Sequence, residues 1–211
     1  MKRLFILFIT VCAACAAAAD ATGQTTKQAA RHDKSFLLDY YQQTYDDLEK
    51  AVAGLSEAQL RFKPAPDRWS ISECLEHIIL TEKMLFGFAQ EVFAQSPNAE
   101  RRGAIKMTDE EIINGIKDRS FKVQASKELT PATPGKYTDA EVALEELRNQ
   151  RRTLLDYIDT LSEDDMRNRV SDSPFGPVDG YHSLLYIPGH TARHTLQIAE
   201  VKADSRFPKG E

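Results

Sequence analysis

The chain reads as all-α, a four-helix bundle with a long crossover between its second and third long helices. Three observations carry that reading. Apolar residues recur at three- and four-residue steps in four long segments, Ser/Thr-x-x-Glu signals stand before helical runs, and no stretch holds the strict alternation of a half-buried strand. The segment from Ser96 to about Tyr137 carries Pro97, Pro131, Pro134 and Gly135, and so long a connection is either a functional segment or a lid over a bundle end.

Taken in order, Met1 to Ala19 has the pattern of a secretory signal peptide. Lys2 and Arg3 precede an apolar run, Leu4 to Val11, too short to span a bilayer, and Ala17-Ala18-Ala19 offers an A-x-A cleavage site. Cys15, behind two alanines, admits a second reading as a lipoprotein anchor, although Cys12 stands where leucine is usual. The expected location is periplasmic or secreted. Residues 20–31 are small and polar and read as a leader, the bundle domain is expected over 32–204, and 205–211 form a tail.

Phe36, Leu37, Tyr40, Tyr41, Thr44, Leu48 and Val52 mark helix one, ending near Gly54. Pro64 and Pro66 break the chain before Ser70-x-x-Glu73 opens helix two, which runs to about Gln95 and is apolar around most of its circumference, hence central. Thr108-x-x-Glu111 opens a short helix within the crossover, through about Arg119. Thr138-x-x-Glu141 is expected to cap helix three, with Val142, Leu144, Leu147, Leu154, Leu155, Ile158 and Leu161 as its apolar face. The last helix spans roughly Tyr181 to Asp204, and Pro188 should bend or interrupt its first turns. Leu55-Ser56-Glu57 and Leu161-Ser162-Glu163 echo each other. As related hairpins they would bring helices two and four together; as simple serine caps they would only stop one helix and start the next.

With 211 residues the chain can bury an ordinary single-domain core. The formal net charge of −5 becomes −7 once Lys2 and Arg3 leave with the signal, and an acidic chain without a basic stripe is a poor nucleic-acid binder. Cys74 is the one cysteine outside the N-terminal region and reads as a small core hydrophobe. No segment of the mature chain is expected to be an integral membrane span.

Chemistry concentrates in histidines. His190 and His194 stand one helical turn apart, on a stripe with Tyr186, Ile187, Gln197 and Val201, so both imidazoles point toward the core. His77 sits on the other capped helix, where it can face that pair. Three imidazoles on two rigid helices, with a position left open, are the ligand pattern of a catalytic divalent metal. Gln197 and Glu73 are candidates to orient a ligand's second ring nitrogen, and Glu73 is also a candidate base. His182 reads as a surface or pocket residue, His32 as solvated, and Trp69 as an anchor of its loop in the bundle end. Arg119 and Arg193 read either as recognition groups for an anionic substrate or as solvated surface.

Trp69-Ser70-Ile71-Ser72-Glu73-Cys74-Leu75-Glu76-His77-Ile78 together with His190-Thr191-Ala192-Arg193-His194-Thr195-Leu196-Gln197-Ile198 resembles the DinB-like superfamily of metal-dependent proteins. The stretches 118–125 and 175–180 are similar to segments of one of its branches. The resemblance covers nearly all of the mature chain in order. It implies a four-helix bundle with a long crossover and one divalent ion, zinc or nickel, held by His77, His190 and His194. It further implies an activity like that of the metal-dependent thiol S-transferases or hydrolases, in which a Lewis acid activates a thiol or water. The alternative is a non-catalytic metal- or ligand-binding bundle. A small-molecule substrate is the expected partner, and a homodimer stays open. Export would set this chain apart from cytoplasmic thiol enzymes.

Overall fold

The computed structural model describes residues 31–120, 124–173 and 176–209. The expected signal peptide, with Cys12 and Cys15, and the leader up to residue 30 lie outside the described residues. Four long helices form the bundle. They are α1 (Lys34–Val52), α3 (Ile71–Ala94), α5 (Ala140–Asp159) and α7 (Gly180–Lys202), with short helices α2 (Glu57–Arg61), α4 (Asp109–Lys117) and α6 (Glu163–Arg167) between them. Helices α3 and α7 make the most extensive contact in the molecule, and α1, α4 and α5 pack around them.

Capping residues set the helix starts. Ser70 accepts the Glu73 N–H while Glu73 accepts the Ser70 N–H, and Thr108 with Glu111 does the same for α4. Ser56 with Gln59 and Ser162 with Asp165 form the same reciprocal cap on α2 and α6. The two Leu-Ser-Glu echoes are therefore both serine caps and both hinges leading to a histidine-bearing helix, and those two helices meet in the centre. At α5 the expected Thr138 cap gives way to Asp139, whose carboxylate accepts the Glu141 N–H, and the helix begins at Ala140. Aspartate is at least as good a cap as threonine. Val142, expected in the core, is 57% exposed, because it falls outside the stripe of Ala143, Leu144, Leu147, Leu154 and Ile158 that α5 buries.

Two apolar clusters fill the bundle. One centres on Leu37, Tyr41, Leu154, Tyr181 and Leu184, the other on Leu48, Ile71, Leu75, Leu144 and Ile198. Between them a buried ion pair ties all four long helices together. Arg151 of α5 donates to Glu82 of α3 at 3.1 Å, to the Tyr41 carbonyl of α1 at 2.7 Å, and to Thr191 of α7 at 2.8 Å.

Strands, which the sequence did not foretell, form one hairpin. Strand β1 (Val170–Ser173) pairs antiparallel with β2 (Gly176–Asp179) in the register Val170 to Asp179 and Ser173 to Gly176. Each strand has four residues, and β2 contains Gly176 and Pro177, so no alternation long enough to recognise exists. The hairpin delivers Asp179, which caps α7 by accepting the His182 N–H. Of the two outcomes expected at Pro188, interruption does not occur: α7 runs on through it, and a hydroxyl from α1 donates to the carbonyl that the proline leaves without an amide partner. At the other end Phe207 packs edge-on against Phe62 and the Pro208 carbonyl accepts from Gln59, docking the tail on α2. Among the described residues no helix is long and apolar enough to cross a membrane.

Candidate metal centre

The caps of α3 and α7 fix the rotation of both helices about their axes, and that rotation turns His77 toward His190 and His194. The Nε2 atoms converge: His77 to His190 is 3.2 Å and His194 to His190 is 3.1 Å, with all three ligand atoms within 4.8 Å of one another. His77 and His194 are buried and His190 is nearly so.

The tautomers follow from the partners. His77 Nδ1–H donates to the Leu129 carbonyl at 2.7 Å, and His194 Nδ1–H donates to Gln197 Oε1 at 2.9 Å. Both rings therefore present Nε2 lone pairs toward His190. One proton on His190 Nε2 could satisfy only one of them, which leaves the other lone pair facing a nitrogen with no proton to give it. A cation at the centre removes that conflict, and the observed edges approach the spacing of about 3.3 Å that nitrogens have around a tetrahedral zinc-sized ion. Burial, and the charges of the neighbouring imidazoles, hold the pKa values of His190 and His194 well below the ordinary imidazole value. Burial also lowers His77, against the opposing pull of the Leu129 carbonyl. The three rings are thus neutral near pH 7, as metal ligation requires.

The crossover closes over this cluster. Its 3-10 turn Lys127–Leu129 supplies the carbonyl to His77. Farther along, the Ser70 hydroxyl donates to the Pro134 carbonyl, and Ser72 Oγ bonds both the N–H and the carbonyl of Tyr137. Gly135 lies between them at φ +97°, where a Cβ would sit 2.6 Å from the Glu73 amide nitrogen. Only glycine allows the chain this close to α3. On the far side Gly189 lets Ile116 of α4 approach, since a Cβ there would meet it at 3.2 Å.

Several expectations need correction. Glu73 is buried and spoken for: it takes two 2.8 Å bonds from Lys63, one from the Thr133 hydroxyl and one from the Ser70 N–H. Its carboxylate holds the cap and the crossover, which leaves no oxygen to serve as a base at the histidines. Arg119 and Arg193 are half-buried and engaged within the fold rather than solvated. Arg119 pairs with Glu200 at 2.6 Å and donates to Gln197 at 3.2 Å, steadying the partner of His194. Arg193 donates to the Ile116 and Asp118 carbonyls at the C-terminal end of α4. Of the two places expected for His182, surface or pocket, the structure gives the second: it is buried, lines a cavity beside α4 and donates to Asp109 at 2.8 Å. His32 is held rather than solvated, bonded to Glu110 at 2.7 Å and stacked on Phe36.

Trp69 does more than anchor a loop. Its ring lies 4.6 Å from the His77 ring and 5.9 Å from that of His194, walling one side of the cluster. Its position next to the Ser70 cap, two turns before His77, was the only available signal. The buried Arg151 and Glu82 gave none.

Comparison with known proteins gives the family and the fold. The family model described as the DinB superfamily matches residues 40–198. The uncharacterized protein YuaE of Bacillus subtilis (strain 168) is 26% identical over 160 residues, covering 76% of this chain and 91% of that protein. Among solved structures, YfiT from Bacillus subtilis aligns with a TM-score of 0.56 at 15% identity, over 83% of this chain and 89% of that one. YfiT is described as "a probable metal-dependent hydrolase with an unusual four-helix bundle topology". At that identity the likeness is one of fold.

Proposed function

Because the chain belongs to the DinB superfamily, we propose that it is a metal-dependent enzyme in which His77, His190 and His194 hold one divalent ion, zinc or nickel. The observation that carries this reading is the convergence of three neutral imidazoles, two of them with Nδ1 already committed, on one point. When bound, such an ion supplies a Lewis acid that brings the pKa of water or a thiol toward neutrality. The chain's own residues do the rest. Leu129 and Gln197 hold two rings in the tautomer that offers Nε2, Arg119 braces Gln197, and Trp69 excludes water from one flank.

Hydrolysis is the first activity to test, since that is the activity named for YfiT, and transfer to a thiol is the second, on the resemblance to thiol S-transferases. We also place the mature chain in the periplasm or outside the cell, on the Met1–Ala19 pattern; N-terminal sequencing of the processed protein should find a start near Asp20.

Cobalt substitution tests the reading, because its spectrum reports coordination geometry. Azide or a small thiol should change the cobalt spectrum saturably, and a panel of activated esters and epoxides, with and without thiol, should show metal-dependent turnover. A spectrum indifferent to every small ligand, with no metal-dependent turnover, would leave only an ion that fixes the bundle.

A further inference from the structure

A second site lies two helical turns toward the N-terminus of α7 from His190. There a cavity of about 300 Å³ opens between α4, α7 and the segment before α4. Its floor is a buried network. Arg167 bonds both oxygens of Asp109 at 3.0 and 2.7 Å and one oxygen of Asp179 at 3.1 Å, and gives its remaining reach to the His32 carbonyl at 2.8 Å. His182 donates from Nε2 to Asp109, and its buried Nδ1 makes no hydrogen bond. Both terminal nitrogens of Arg167 and the His182 Nε2 are committed to these partners, so the floor sets shape and charge more than it contacts a ligand.

The rim differs. Arg31, Arg102 and Lys106 line the same cavity and have no carboxylate partner among the described residues. Arg102 donates to the Asn168 amide oxygen and Lys106 to the Gly103 carbonyl, neutral acceptors that leave the charges uncompensated. Counting the lining as a whole, four cations stand against two carboxylates, an excess of two positive charges. Ile105 and Met107 add an apolar wall. A cavity with that excess, two guanidinium groups and an apolar wall fits a small organic dianion: two negative charges complete the balance, and guanidinium forks suit oxyanions.

We propose that this cavity binds a small dianion, a phosphomonoester or a dicarboxylate, independently of the histidine cluster. The test uses the full chain at low salt, with inorganic phosphate, succinate and, as a monoanion control, acetate, followed by calorimetry and thermal shift. Phosphate, succinate or both should bind saturably to wild type and equally to His190→Ala, and about tenfold more weakly to Arg102→Ala and to Lys106→Ala. Which of the two anions binds identifies the class. Lys106 is exposed and its ammonium holds only a neighbouring carbonyl, so Lys106→Ala keeps the fold and carries the test if Arg102→Ala does not. The proposal is overturned if neither dianion binds at about 10 mM, if acetate does as well as both, or if neither cation variant weakens binding. Binding lost in His190→Ala alone would place the anion at the histidines and also overturn it.

Discussion

The Tyr41 hydroxyl donates to the Leu184 carbonyl at 2.9 Å in the middle of the bundle. In an unbroken helix that carbonyl would accept the amide of residue 188, which is Pro188 and has none. Helix α1 supplies the donor that α7 lacks, and the register that aims His190 and His194 is carried past the proline.

Removing that hydroxyl leaves a buried carbonyl without a partner. Tyr41→Phe should therefore cost about 1–3 kcal/mol in urea denaturation. In a Pro188→Ala background the new amide can take over the Leu184 carbonyl, so the cost of Tyr41→Phe should shrink. Equal losses in the two backgrounds would show that the hydroxyl and the proline are unrelated.

Acid stability should depend on Asp109. Burial alone would raise its carboxyl, but hydrogen bonds from His182 and Arg167, with the Arg167 charge, outweigh burial and hold it well below the usual carboxylate range. A carboxylate depressed by folding contributes its full stability above the unfolded value of about 4, and loses it as pH falls from there toward the folded value. Wild type should lose urea resistance progressively as pH falls below about 4. Asp109→Asn should start about 3 kcal/mol lower at neutral pH, because it breaks a buried pair, and lose less on acidification. Parallel acid limbs for the two proteins would contradict this.

Gln197 acts on the metal through His194. Gln197→Ala should weaken metal binding by about 10- to 100-fold while all three histidines remain. Trp69, the single tryptophan of the chain, reports it from its place beside His77. Zinc added to metal-stripped protein should change its emission saturably, at higher zinc in Gln197→Ala and without saturation in His190→Ala. An emission change unaltered by both substitutions would place the zinc elsewhere.

What could be read from the sequence was what local physics decides. Ser70 with Glu73 and the four-residue step from His190 to His194 are short-range signals, and they were enough to predict the bundle and the three histidines that meet. The Asp139 cap was missed because threonine and aspartate compete at adjacent positions. The hairpin was missed because four-residue strands containing Gly176 and Pro177 leave no period to see. That Pro188 does not interrupt α7 was not legible, since its remedy lies on Tyr41, 147 residues away in sequence. The fate of Glu73, the network of Asp109, Arg167 and His182, and the role of Trp69 are likewise long-range facts, decided by which side chains the packed helices bring together.

The most direct test of the account is the metal content of the purified chain. Protein prepared without chelator should carry about one divalent ion per chain by elemental analysis, and His77→Ala, His190→Ala and His194→Ala should each lose it while keeping the helical circular-dichroism signal. Wild type and all three variants with equally little zinc, nickel, iron and manganese, or with equally much, would contradict the claim that these three histidines form a metal centre.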